Sequence, residues 1–232
     1  METQEDINIP DMPSMPGDLA GIVTIRIHTK HGWRLIYSRK SNGESSPMTG
    51  LFRYAKRMNV LWVASSKNDP FADYYLDQVH RGIENAMYEF DERQKILDTT
   101  FHKARQKGID FELAKSSEPT SIPLKFSNPY GYLGAKLISK CDEFIRTTFT
   151  CRHVGMISYE KNEQNARWAM KKVLGTFDIP RDFRLTGVTR QDRDQQNAKW
   201  AQAVEKMKHI PTSDILNTFR AKLSPPLANP NQ

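Results

Sequence analysis

The chain has 232 residues, and 34 Lys+Arg against 27 Asp+Glu give it a formal charge of +7 and a pI near 9.3. Its 38% hydrophobic and 10% aromatic content is enough to build a core, and the lack of any apolar run near the ~20 residues a bilayer requires excludes a transmembrane helix. Met1 to Ala20 holds Glu2, Glu5, Asp6, Asp11 and Asp18 with no Lys or Arg. A secretory signal starts basic, so a cytoplasmic protein is expected, with no membrane partner.

Removing those five acids from the 27 leaves the remaining residues close to +12. An excess of that size points to a polyanion, and nucleic acid is the expected partner. The expected organisation is a disordered acidic arm at 1–20, one mostly helical domain over 21–220, and a proline-marked disordered tail at 221–232.

From Ile22 to Thr29 the residues alternate, with Val23, Ile25 and Ile27 on one face and Thr24, Arg26, His28 and Lys30 on the other. This predicts a strand. His31 to Lys40 fits either a return strand or a short helix, since Gly32 suits a turn and its neighbours commit to neither. After a polar loop at 41–46, Pro47 opens a predicted helix with Leu51, Tyr54, Ala55, Met58, Leu61 and Trp62 on its apolar face and Arg53, Lys56 and Arg57 opposite.

Asp69-Pro70 is an N-cap and first-turn pair, and the helical pattern then runs unbroken to Gly108. Leu76, Ile83, Phe90, Leu97 and Ala104 recur every seven residues, interrupted by Arg93 and Thr100. The stripe is either an interhelical seam or a face packed on its own domain.

A second alternating stretch, Ser121 to Asn128, puts Ile122, Leu124 and Phe126 inward and Lys125 outward. Helices are predicted from about Gly131 to His153, from Ser158 to Gly175, and from a capping box at Thr189 and Asp192 to about Lys208, the last with Ala201, Val204 and Met207 inside. Cys141 and Cys151 fall ten residues apart on one helix, roughly 15 Å and out of disulfide reach.

The six histidines include no i, i+4 pair around a glutamate, two cysteines cannot build a zinc cage, and Gly131-Tyr-Leu-Gly134 lacks the remaining residues of a phosphate loop. No catalytic constellation is present and no cofactor is implied, so a non-enzyme is expected. The alternative is a nuclease, recombinase or accessory protein of a mobile element, for which the basic charge is equally suited.

A two-stranded ribbon enters the DNA major groove with its solvent-side residues toward base edges. Arg26 then suits guanine, Thr24 suits several bases, and His28, Lys30 and Arg34 suit bases or phosphates. Residues 22–64 give a strand, a possible short helix and a helix, the order of a ribbon-helix-helix module in which a twin chain completes each strand. Residues 121–174 give the same order, with Lys125 on the exposed side. The first stretch is preferred as the reader and the second as dimer core.

Five segments carry a resemblance: Ile27-His28-Thr29-Lys30-His31, Asn68-Asp69-Pro70-Phe71-Ala72-Asp73, Phe126-Ser127-Asn128-Pro129-Tyr130-Gly131-Tyr132, Thr150-Cys151-Arg152-His153-Val154-Gly155 and Thr186-Gly187-Val188-Thr189-Arg190. In that order they resemble the AcaB-type transcriptional regulators of conjugative plasmids and integrative conjugative elements. The resemblance implies a homodimeric, DNA-binding activator of conjugative-transfer genes with a ribbon-helix-helix-like α+β fold, acting upstream of the element's master activator. Its implied partners are double-stranded promoter DNA, a second copy and RNA polymerase, in a bacterial cytoplasm at the nucleoid or plasmid. No base-contacting residue transfers from the resemblance.

Overall fold

The computed structural model describes residues 23–38, 48–106, 108, 110–217 and 219–228. The acidic arm, the loop at 41–46 and Pro47 lie outside them.

Two strands occur among the described residues, β1 (Val23–Ile27) and β2 (Thr120–Leu124), and they pair antiparallel with each other. Val23 faces Leu124, Ile25 faces Ile122 and Ile27 faces Thr120. The stretches expected to be competing ribbons are the two halves of one ribbon. The expectation that a twin chain completes each strand is corrected, because the backbone donors and acceptors of β1 meet a partner in the same chain. Ile25, Ile27, Ile122 and Leu124 are buried on the inner face, and β1 lies on α4 (Pro129–His153). In a two-stranded ribbon both strands are edges, a setting that tolerates Pro123.

The ambiguous stretch after β1 is helical: α1 (Lys30–Ile36), capped by Thr29, whose Oγ1 accepts the Gly32 N–H at 2.9 Å. A Cβ on Gly32 would collide with the Asp142 carboxylate, so this glycine serves a close approach and not a turn. α2 (Leu51–Ser66) buries Leu51, Tyr54, Ala55, Met58 and Leu61, and Tyr54 stacks on Phe177 at 4.4 Å. Gly131 and Gly134 also have packing roles: the Phe126 ring lies against the first, and Tyr54 against the second.

α3 (Pro70–Gln106) is the expected long helix. Asp69 Oδ1 accepts from the N–H groups of Phe71 (2.9 Å) and Ala72 (3.2 Å), satisfying donors that a helix start leaves free. Leu76, Val79, Ile83, Ala86, Phe90 and Leu97 are buried against the chain's own helices, chiefly α2, α4 and α5 (Tyr159–Asp178). The seven-residue stripe is therefore used internally. Arg93, which interrupts it, lays its guanidinium 3.9 Å above the Trp168 ring, and that ring meets Phe90 and Phe144 edge-on.

The helix expected from Thr189 to Lys208 is two. A capping box between Thr189 and Asp192 opens α6 (Arg190–Asp194), Gln196 then turns left-handed at φ 48°, and Asn197 caps α7 (Ala198–Met207) through the Trp200 N–H. This break shifts the helical phase, so that Trp200, Ala203 and Met207 point inward while Ala201 is exposed. Residues 221–228, expected as part of the tail, lie against the body: Ala221 is buried and the Ala228 N–H donates to the Ser66 carbonyl at 2.8 Å.

Cys141 and Cys151 are buried free thiols on α4. Burial pushes both up in pKa, Cys151 to about 11, so neither forms a thiolate readily near neutral pH.

A polar knot fastens the C-terminal segment to the body. Arg190 pairs with the fully buried Asp73 at 2.8 Å and donates to Asn68 Oδ1 (2.7 Å) and to the carbonyls of Ile215 (2.7 Å) and Phe219 (3.0 Å). Beside it, burial raises Asp69 from 3.8 to about 7; the N–H groups of Ala72 and Phe71 pull it down, Asp73 pushes it up and Arg190 pulls it down. The folded state thus holds this proton more tightly than the unfolded chain does. Between about pH 4 and 7 the unfolded carboxyl is ionised and the folded one is not, so this group makes stability fall as pH rises, by at most ~4 kcal/mol. His28 and His31, whose pKa values are lowered, act in the opposite direction over the upper part of that range. Asp69→Asn keeps the capping oxygen and removes the titration. Its denaturation midpoint, relative to the parent, is expected to improve from pH 5 to about pH 7 and then level off; a constant difference from pH 5 to pH 7 refutes the assignment.

Candidate nucleic-acid interface

The ribbon's outer face is set by period-two geometry. With Ile25, Ile27, Ile122 and Leu124 inward, Thr24 and Arg26 of β1 and Ser121 and Pro123 of β2 are exposed. Arg26 sits opposite Ser121, and Thr24 opposite Pro123. Lys125 is exposed just past the end of β2. Arg26 and Lys125 form no ion pair among the described residues, which leaves both cations available to an outside anion.

The other expected residues line the start of α1. Lys30 and Arg34, four residues apart, are exposed on one helix face. His28 is half-buried, and its pKa is lowered by burial and then by the Arg146 charge, with Asp142 opposing. Burial and Arg34 lower His31 as well, against Glu163 and Asp142. Both imidazoles are neutral at neutral pH, so His28 offers hydrogen bonding there and not charge.

Asp142 fixes the exit of β1. Its carboxylate accepts the N–H of His28 (3.0 Å), the N–H of Thr29 (2.9 Å) and the Thr29 hydroxyl (2.6 Å), and it is only 2% exposed. The exit of β2 is held from the other side, where the Ser127 hydroxyl donates to Asn59 Oδ1 on α2 at 2.9 Å.

Sequence reading missed Lys115 and Arg146. Together with His28, Lys30, His31 and Phe149 they line a hollow of about 410 Å³ at the foot of the ribbon. Arg146 is held there by its Nε–H, which donates to the Ala114 carbonyl at 2.7 Å. In the sequence both residues read as solvated surface charge, because the 110–119 segment that meets α4 has no pattern of its own. Three exposed rings follow one another, Trp33 to Tyr37 at 5.6 Å and Tyr37 to Phe52 at 5.8 Å, and Phe52 meets the partly buried Phe126 at 6.2 Å.

Among the described residues, no three His, Cys, Asp or Glu side chains are grouped to hold a metal ion, and no helix is long and apolar enough to cross a membrane. The family model described as the transcriptional regulator AcaB matches residues 15–228. The chain belongs to the AcaB family of transcriptional regulators. No curated protein matches it. Its structure is similar to the crystal structure of selenomethionine-containing AcaB from uropathogenic E. coli, with a TM-score of 0.52 and 10% identity over 85% of this chain and 94% of that one. At that identity the likeness concerns the fold, which both share as a mostly helical α+β arrangement. Family membership makes this chain a regulator of transcription.

Proposed function

We propose that the chain is a sequence-specific DNA-binding activator of conjugative-transfer genes and that it reads the major groove with the outer face of the β1–β2 ribbon. The observation that carries this reading is Arg26, an exposed guanidinium with no ion pair among the described residues, on a ribbon that has Lys30, Arg34, Lys115 and Arg146 around the end where β1 leaves and Lys125 at the opposite end. Such a ribbon matches the width of the groove, and guanidinium matches the guanine O6/N7 edge. Thr24 and Arg26 are assigned to bases, and His28, Lys30, Arg34 and Lys125 to phosphates and flanking positions. Two copies act together as a homodimer, for which the exposed strip Trp33, Tyr37 and Phe52 gives an apolar contact face. RNA polymerase is the contact through which activation proceeds.

The test is affinity for a site selected from the element's own promoters, compared with random DNA. Arg26→Ala should cost ~1–3 kcal/mol on the selected site and less on random DNA. Lys125→Ala should weaken both about equally, and log K should fall linearly with log[salt], with a slope of about −0.9 per phosphate neutralised. Full sequence preference in Arg26→Ala refutes the ribbon as reader, and a monomer of 26.8 kDa at all concentrations in sedimentation refutes the homodimer.

A further inference from the structure

The strand–helix–helix order occurs twice: β1, α1 and α2, then β2, α4 and α5. The two strands have the same length and the same sequence of exposed and buried positions, so Ile25 corresponds to Ile122 and Ile27 to Leu124. Their pairing obeys a two-fold relation centred on that first pair. Ile25 faces its own counterpart Ile122, Val23 faces Leu124, which is the counterpart of Ile27, and Ile27 faces Thr120, which is the counterpart of Val23. A ladder between two identical chains related by a two-fold axis has this register.

The helices cross between the units as well. α1 packs on α4 and α5, and α2 packs on α4 and α5. Each strand's exit is pinned by the other unit, His28 and Thr29 by Asp142 of α4, and Ser127 by Asn59 of α2. α3 covers the chain between them.

The correspondence breaks where chemistry faces outward. Thr24 corresponds to Ser121, two hydroxyls, but Arg26 corresponds to Pro123. One half of the ribbon carries a guanidinium in its centre, and the other carries a ring with no donor at all.

We propose that a single chain is a complete pseudo-two-fold ribbon-helix-helix unit, whose two inequivalent halves read a non-palindromic DNA site, with Arg26 specifying one half and the Pro123 half contributing little base discrimination. This deepens the ribbon reading above and rests on it for the DNA. A homodimer then joins two complete ribbons and does not assemble one ribbon from two chains.

Two measurements test it, the first without DNA. Thr24 and Pro123 are exposed and directly opposed, at a cross-strand separation a disulfide spans. In full-length Thr24→Cys/Pro123→Cys, oxidation should give a crosslinked species at the monomer mass, and Arg26→Cys/Ser121→Cys should do the same. Crosslinked dimers from both variants overturn the proposal, since they place the paired strands in different chains.

The second is a base-by-base scan of the selected site. Substitutions in one half should weaken binding about tenfold or more, and those in the other half only slightly. Arg26→Ala should flatten the sensitive half, while Pro123→Arg should raise affinity for a site whose sensitive half is repeated as an inverted copy. Equal sensitivity in both halves overturns the inference while leaving the ribbon as reader. Monomer crosslinks with no selectable site preserve the single-chain ribbon and refute its reading of DNA.

Discussion

Asp142→Ala is expected to destabilise the protein by ~3–5 kcal/mol and to abolish site preference together with it. The side chain accepts three bonds, from the backbone of His28 and Thr29 and from the Thr29 hydroxyl, where it is almost wholly buried. Hydrogen bonds to a charged acceptor contribute roughly 1.5–3 kcal/mol each, and a buried donor left without a partner costs roughly 1–3 kcal/mol. Three such losses do not add fully, because the vacated space admits water. At about 2–4 °C per kcal/mol for a chain of this size, the melting midpoint should fall by on the order of 10 °C.

Asn at this position is not a rescue. Its single carbonyl oxygen can still serve Thr29, but its NH₂ group then faces the His28 N–H, donor against donor, and flipping the amide only moves the conflict to Thr29. Asp142→Asn should therefore lie close to Asp142→Ala. Thr29→Val, which removes the hydroxyl donor and the cap on Gly32 but leaves the carboxylate with two backbone partners, should cost only ~1–2 kcal/mol. The functional consequence is local. The exit of β1 sets where Arg26 and Lys30 point relative to each other, so the site preference should collapse at temperatures where circular dichroism still shows a folded helical body. A variant that melts within 1–2 °C of the parent shows that the carboxylate is not what holds the junction.

Much of this fold is local and was legible as such. β1 and β2 announce themselves by Ile25, Ile27, Ile122 and Leu124 at period two, and α3 by Asp69-Pro70 and a sustained apolar stripe. What the pattern does not contain is pairing. Strand alternation states which side chains share a face, and it is silent on which strand lies alongside. The partner of β1 is fixed only once α3 and α4 pack and bring Thr120–Leu124 back to it. His31 to Lys40 was ambiguous because its helix depends on Thr29 and on a carboxylate more than a hundred residues away in the chain. The candidate site divides the same way. Thr24, Arg26 and Lys125 were readable from alternation, and Lys115 and Arg146 were not, since their neighbourhood is created by a loop meeting a distant helix.

The polar knot around Asp73 and Arg190 gives the second large effect, with the opposite functional outcome. Asp73→Leu leaves Arg190 8% exposed and without its carboxylate, and removing one member of a buried ion pair costs ~3–5 kcal/mol. Arg190→Met should cost less. The carboxylate it abandons retains the Ser65 hydroxyl and has Arg220 Nε at 3.6 Å, near enough to close on it. Arg190 also holds the carbonyls of Ile215 and Phe219, so in either variant the segment from α8 (Ser213–Asn217) onward should come loose first. Limited proteolysis should then cut near residues 208–212 before the body unfolds. In Asp73→Leu/Arg190→Met no charge of the central pair remains, and the double variant should be more stable than Asp73→Leu alone, a sign that reports the unpaired charge and not a generic loss of packing. Because Asp142 and the ribbon are untouched, the folded fraction of each variant should keep full preference for its DNA site. Single variants that lose less than ~1 kcal/mol, or a double variant at the sum of the two, show that the pair contributes no specific coupling to the fold.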